Sequence, residues 1–235
     1  EEDAYESYLK DLDKEIAEAD PVLKSILYSI KAEVLWSYYE NNRWSINQRT
    51  VTDQTTESIQ SWDAQKFMDE TRKLYLLSLE GEAALKETKI DLIEDILVQD
   101  KNTRPLRPTL FDFLAHRALD HFMNAEANLN KPSYAFELDH PALFGTYRQF
   151  VKLDIQTPDS LSKDLFVIKL FKSILSFHTN SSNTSALLDA DLKRLQYVYD
   201  NYVGLDKDKL FLDALTGLNA SYEGKKESAE IKLRL

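Results

Sequence analysis

Turn-forming residues are scarce in this chain, with five glycines and six prolines in 235 residues. That is about 5% of the sequence, against the ~12% usual in globular proteins. Folds with many strands spend these two residues at their turns, where Gly supplies positive φ and Pro presets a negative one. A chain so poor in both must cover its length with few turns and long elements, which points to helices. The expected fold class is therefore all-α: irregular stacked antiparallel helical hairpins, tetratricopeptide-like or bundled, with little or no strand. No period of about 34 residues repeats with matching residues, so the strict tetratricopeptide consensus is absent.

Periodicity places the helices. Asp20-Pro21 reads as an N-cap with proline at the first helical position, and Leu23, Leu27, Ile30 and Val34 then define one apolar face to about Tyr38. Residues 43–60 are rich in Asn, Gln, Ser and Thr and read as a long polar connection. Ser61 is expected to open the next helix, which turns Trp62, Phe67, Leu74 and Leu77 inward and is disturbed or ended at Gly81; Thr88 then caps a shorter helix. Arg104-Pro105-Leu106-Arg107-Pro108 is the sharpest break, because two prolines remove donors and restrict the residues before them. Thr109 and Asp112 form a capping-box-like start for a helix whose inward face is Phe111, Ala115, Ala118 and Phe122.

Tyr134–Leu138 alternates as a brief extended segment without an evident partner. Beyond it, stripes at Leu165, Ile168, Phe171 and Leu175, then at Leu188, Leu192, Leu195, Val198 and Tyr202, and finally at Leu210, Ala214, Leu218 and Tyr222 mark three further helices. Lys225 to Leu235 reads as a last helix without a stop signal, as in a piece of a longer chain. The expected organisation is residues 1–103 as N-terminal hairpins, with the polar connection near 45–60, and residues 104–235 as C-terminal hairpins, packed as one continuous domain.

Charge and motifs narrow the chemistry. Twenty-nine Lys plus Arg stand against 40 Asp plus Glu, a net charge of −11. Nucleic acid is not an expected partner, since that affinity comes largely from basic residues displacing counterions. No run approaches the ~18 to 20 apolar residues of a membrane span. Cysteine is absent, which removes disulfides, thiolate zinc sites and a Cys nucleophile. Phosphate-binding glycine loops, the G-x-S-x-G elbow and H-E-x-x-H are absent as well. His116, Asp120 and His121 share a helical stretch, but a zinc site needs three or four converging ligands. They are expected in a surface or capping network, with no metal, cofactor or catalytic residue assigned. His140 and His178 fall at a proline turn and a helix end.

Aromatic residues crowd between positions 36 and 44. Trp36, Tyr39 and Trp44, with Arg43 able to stack on one of them, are the candidate binding surface for a peptide or glycan. With Tyr38, the same residues fit core packing between the first hairpins.

Three stretches carry a family resemblance. Asn41-Asn42-Arg43-Trp44 with Arg49-Thr50 and Ser61-Trp62, then Arg107 through Asp120, then Lys131-Pro132 with Tyr134-Ala135-Phe136, are similar to the helical N-terminal region of the large bacterial alpha-2-macroglobulin-like proteins. The run from Asp191 to Leu210 is compatible with the same region, so the resemblance extends over nearly the whole chain. It implies an envelope protein, periplasmic or lipid-anchored, whose parent traps proteinases by a conformational change after bait cleavage. The reactive thioester of such parents needs a Cys-x-Glu-Gln motif, which a chain without Cys does not hold. The resemblance thus implies a non-catalytic scaffold or docking module. Its partners would be the macroglobulin domains of the parent chain and, through the parent, proteinases or other envelope proteins. An independent peptide-binding adaptor is the alternative, and an envelope glycan-binding protein or hydrolase a third reading.

Overall fold

The computed structural model describes residues 2–49, 58–98, 103–124, 132–181 and 183–235, residues 2 and 3 by their backbone alone. It is all-α: among the described residues there is no strand, only the isolated bridges Lys89–Thr109 and Leu138–Tyr202. Two compact units are present, Glu1–Glu94 with Thr109–Leu129 and Asp95–Pro108 with Asn130–Leu235. The helix that follows the proline break thus belongs to the first unit, while the break belongs to the second.

The first unit holds α1 (Glu2–Glu18), α2 (Pro21–Ile46), α3 (Ala64–Leu77), α4 (Glu82–Glu87) and α5 (Leu110–Met123). Helix α2 is the spine, packed against α1, α3 and α5. Asp20 caps it, accepting from the Val22 and Leu23 amides at 2.9 and 3.1 Å. The face expected at Leu23, Leu27, Ile30 and Val34 is displaced: Leu23 is exposed, whereas Ser25, Ile26, Ser29, Ala32, Leu35 and Trp36 are buried. Serine buries here because its hydroxyl finds partners. Ser25 Oγ donates to the Pro21 carbonyl at 3.3 Å, and Ser29 Oγ accepts from Arg117 Nε on α5 at 2.8 Å.

The polar connection is shorter at its N-terminal side than expected, since α2 runs on to a fully buried Ile46. Within α2, Asn42 Nδ2 donates to the Tyr38 carbonyl and Ser45 Oγ, expected in the polar connection, donates to the Asn42 carbonyl, at 2.9 Å each. Residues 50–57 of the connection lie outside the described residues.

Asp63 rather than Ser61 caps α3, accepting from the Lys66 amide at 2.8 Å. Ser61 sits in the preceding 3₁₀ turn, Ile59–Ser61. Gly81, with φ of 75°, makes the bend between α3 and α4. Thr88 follows α4 instead of starting a helix, and Ile90–Ile96 is 3₁₀ with a kink at Ile93.

The start of α5 is as expected. Thr109 and Asp112 form a reciprocal capping box, with Thr109 Oγ1 accepting from the Asp112 amide at 3.2 Å and Asp112 Oδ2 accepting from the Thr109 amide at 3.1 Å. Phe111, Ala115, Ala118 and Phe122 are all buried. Reciprocal satisfaction of two orphan amides holds this helix start in place.

The second unit holds α6 (Tyr147–Phe150), α7 (Lys163–Thr179), α8 (Thr184–Asn201), α9 (Lys207–Ser221) and α10 (Ser228–Lys232). Short connections join α7 to α8 and α8 to α9, and these neighbours pack on each other. The stripes of α7 and α8 are buried as expected. Tyr197 Oη donates to the Asp164 carboxylate between these two helices. The alternating segment ending at Leu138 forms no strand; it contributes one bridge, closed by the Val203 amide donating to the Leu138 carbonyl at 3.1 Å. The last segment is helical only over α10, after a turn at Gly224. No helix among the described residues is long and apolar enough to cross a membrane.

Candidate functional site

The aromatic surface read from sequence is split. Trp36 and Tyr39 are buried with ring centroids 5.1 Å apart, and Tyr38 stacks on Phe67 at 5.6 Å. Trp44 is 77% exposed and Arg43 is exposed, one helical turn or more from the buried rings on α2. Three residues of the cluster are therefore core, as the packing alternative has it.

His116 and His121 are buried, which corrects the expected surface network. His121 lies edge-on to Trp36 at 4.7 Å and stacked on Tyr75 at 4.8 Å. Burial, with a smaller contribution from the Arg72 charge, lowers its pKa to about 4. The ring is thus a neutral aromatic spacer at neutral pH. Among the described residues no group of three or more His, Cys, Asp or Glu converges on a point that would hold a metal. His140 Nδ1 accepts from the Ala142 amide at 3.1 Å at the proline turn, and His178 Nδ1 lies 3.3 Å from Ser181 Oγ at the end of α7.

A concavity lies in the second unit, a groove of about 790 Å³ between α8, α9 and the segment Pro141–Arg148. Its floor includes a buried ion pair, Arg194 with Asp191. Arg194 on α8 donates from Nε to Asp191 Oδ1 at 2.8 Å, from Nη1 to the Leu143 carbonyl and from Nη2 to the Gly145 carbonyl at 3.0 Å. Its guanidinium also lies 4.5 Å from the centroid of the Phe150 ring. One side chain therefore fastens the Pro141–Phe144 turn and α6 to α8. Burial pushes the Asp191 carboxyl up while Arg194 pulls it down.

The α9 wall carries the stripe expected to be core. Leu210, Ala214 and Leu218 are only half-buried and line the groove, and Tyr222 lies deeper at 6% exposure. The Tyr222 phenol is pushed up to about 12, chiefly by burial and next by the Asp191 charge. At the rim, Arg148 stands 5.1 Å from the Tyr147 ring centroid and Lys225 stands 4.9 Å from that of Tyr222.

Sequence reasoning missed this site, although two signals were present. Asp191 and Arg194 are charged positions interleaved with the apolar stripe of α8, and Gly217 interrupts a helix where Ala would be more stable. The groove combines apolar walls, phenol groups and rim cations with a buried, already paired acid. No family model matches this chain, and neither a curated protein nor a solved structure shows significant similarity to it.

Proposed function

We propose that the chain is a non-catalytic helical scaffold and protein-interaction module of an alpha-2-macroglobulin-like proteinase inhibitor of the bacterial cell envelope. The supporting observation is what the residues of the family resemblance do. Thr109 and Asp112 are consumed in a capping box, and Phe111, Leu114, Ala115, Ala118 and Leu119 in core. The arginines act as clips: Arg117 Nε donates to Ser29 Oγ at 2.8 Å, Arg49 Nη1 to the Trp62 carbonyl at 2.7 Å, and Arg107 Nη1 to Asp189 Oδ2 at 2.7 Å. Phe136 closes the set, its amide donating to Asp159 Oδ2 at 3.0 Å. Polar groups spent on capping and bridging hold a shape, which is what a scaffold requires. Lys131 and Thr50 of the resembling stretches lie outside the described residues.

The test is the mass of the native polypeptide in fractionated cells that express it, detected with an antibody against this chain. The expected result is a species several-fold heavier than 27.2 kDa in the envelope fraction. A cytosolic species near that mass would overturn the reading and leave an independent adaptor in its place. The groove of the second unit supplies the observation favouring that second reading, since a helical adaptor also presents an open concave face.

A further inference from the structure

We infer that the groove of the second unit docks a partner peptide presenting leucine-sized aliphatic side chains beside carboxylates. This rests on the chain being an interaction module, but not on the identity of its parent. The walls supply the aliphatic half of the match. Leu210, Ala214 and Leu218 on α9 are left half-buried, opposite Leu187 and Leu195 of α8. Gly217, in the interior of α9, also lines the groove, and a Cβ built on it would meet no atom within 4 Å. Glycine at such a position weakens its helix and leaves room for a backbone or side chain to approach α9 closely.

The polar half of the match is cationic in a chain of net charge −11. Arg148 and Lys225 are exposed at the rim, each beside a tyrosine ring, against one exposed lining carboxylate, Asp213. Asp191 adds no free negative charge, because Arg194 pairs with it. Tyr222 is more than nine-tenths buried by accessible surface and lines the groove. A phenol that stays protonated offers an O–H donor, and a carboxylate is its complementary acceptor.

The experiment is fluorescence anisotropy with two labelled peptides of about four helical turns, alike in their leucines at helical spacing. One carries glutamate on its polar face and the other lysine. The glutamate peptide is expected to bind saturably and about tenfold tighter than the lysine peptide, with an advantage that shrinks as salt rises. Arg148→Glu with Lys225→Glu should reverse the preference. Gly217→Leu should abolish binding of both peptides without lowering the melting temperature.

Equal affinity for the two peptides would overturn the acidic specificity. No saturable binding by the folded protein, or binding untouched by Gly217→Leu, would overturn the groove as a docking site. A concentration-dependent dimer dissolved by Gly217→Leu would assign the groove to a second copy instead. A light cytosolic polypeptide that still binds the glutamate peptide would remove the macroglobulin parent and leave this inference standing.

Discussion

Arg194, fully buried on α8, holds the carboxylate of Asp191 one turn before it at 2.8 Å and reaches the Leu143 and Gly145 carbonyls with its other nitrogens. A buried guanidinium with three anionic or carbonyl partners is a compensated charge; one with any partner removed is not. The pair underlies the groove, so its integrity decides whether Pro141–Arg148 and α8 form one wall.

Arg194→Ala should therefore destabilise the protein by about 3–5 kcal/mol, because it leaves Asp191 buried and unpaired. Chemical denaturation measures the loss. Arg194→Met combined with Asp191→Leu should recover part of it and not all, since the Leu143 and Gly145 carbonyls still lose their donor. Full recovery would show that those two carbonyl contacts contribute nothing.

Ala118→Asp should cost several kcal/mol, in the range of about 2–5, by burying a carboxylate on the fully buried face of α5. A melting temperature equal to that of the parent protein would mean that this face is not core.

His121 sets an acid limit on the first unit. Its folded pKa, about 4, lies below the ordinary 6.5, so the unfolded state binds the extra proton between those values. Stability is then complete above pH 6.5 and is lost as pH falls, by about 3 kcal/mol at pH 4. His121→Phe should flatten this part of the stability profile, read as the difference between the two proteins from pH 7 to pH 4. Parallel profiles would contradict the burial of a neutral ring between Trp36 and Tyr75.

Two glycines should respond in opposite directions to alanine. Gly217→Ala, in helical backbone with open space at Cβ, should raise stability by about 0.5–1 kcal/mol. Gly81→Ala, also facing open space but held at φ of 75°, should lower it by about 1 kcal/mol or more, since L residues rarely adopt that conformation. Thermal melts of the two variants would separate space from backbone conformation as the reason each glycine is there.

Local signals in the sequence were enough for much of the helical plan. The capping box at Thr109 and Asp112 and the stripes at Phe111 to Phe122, Leu165 to Leu175 and Leu188 to Val198 involve residues within a few turns of one another. A cap or a 3.6-residue stripe is a property of neighbours along the chain, so it is visible there.

The partners that bury polar residues come from far along the chain, and tertiary structure alone decided them. Ser29 reads as a polar position on α2 until Arg117, 88 residues away, reaches it. Arg194 reads as a solvated charge until the carbonyls of residues 143 and 145, about fifty residues earlier, close around it. The Trp36 to Trp44 cluster shows the converse, because α2 turns Trp36 and Tyr39 into the core and Trp44 outward. The stripe of α9 ends up as the wall of a groove, since periodicity determines that a face is apolar and only packing determines what covers it. The sequence by itself thus determined an all-helical chain, two of its caps and three of its buried stripes; long-range contacts decided which polar groups are buried and where the open concave surface lies.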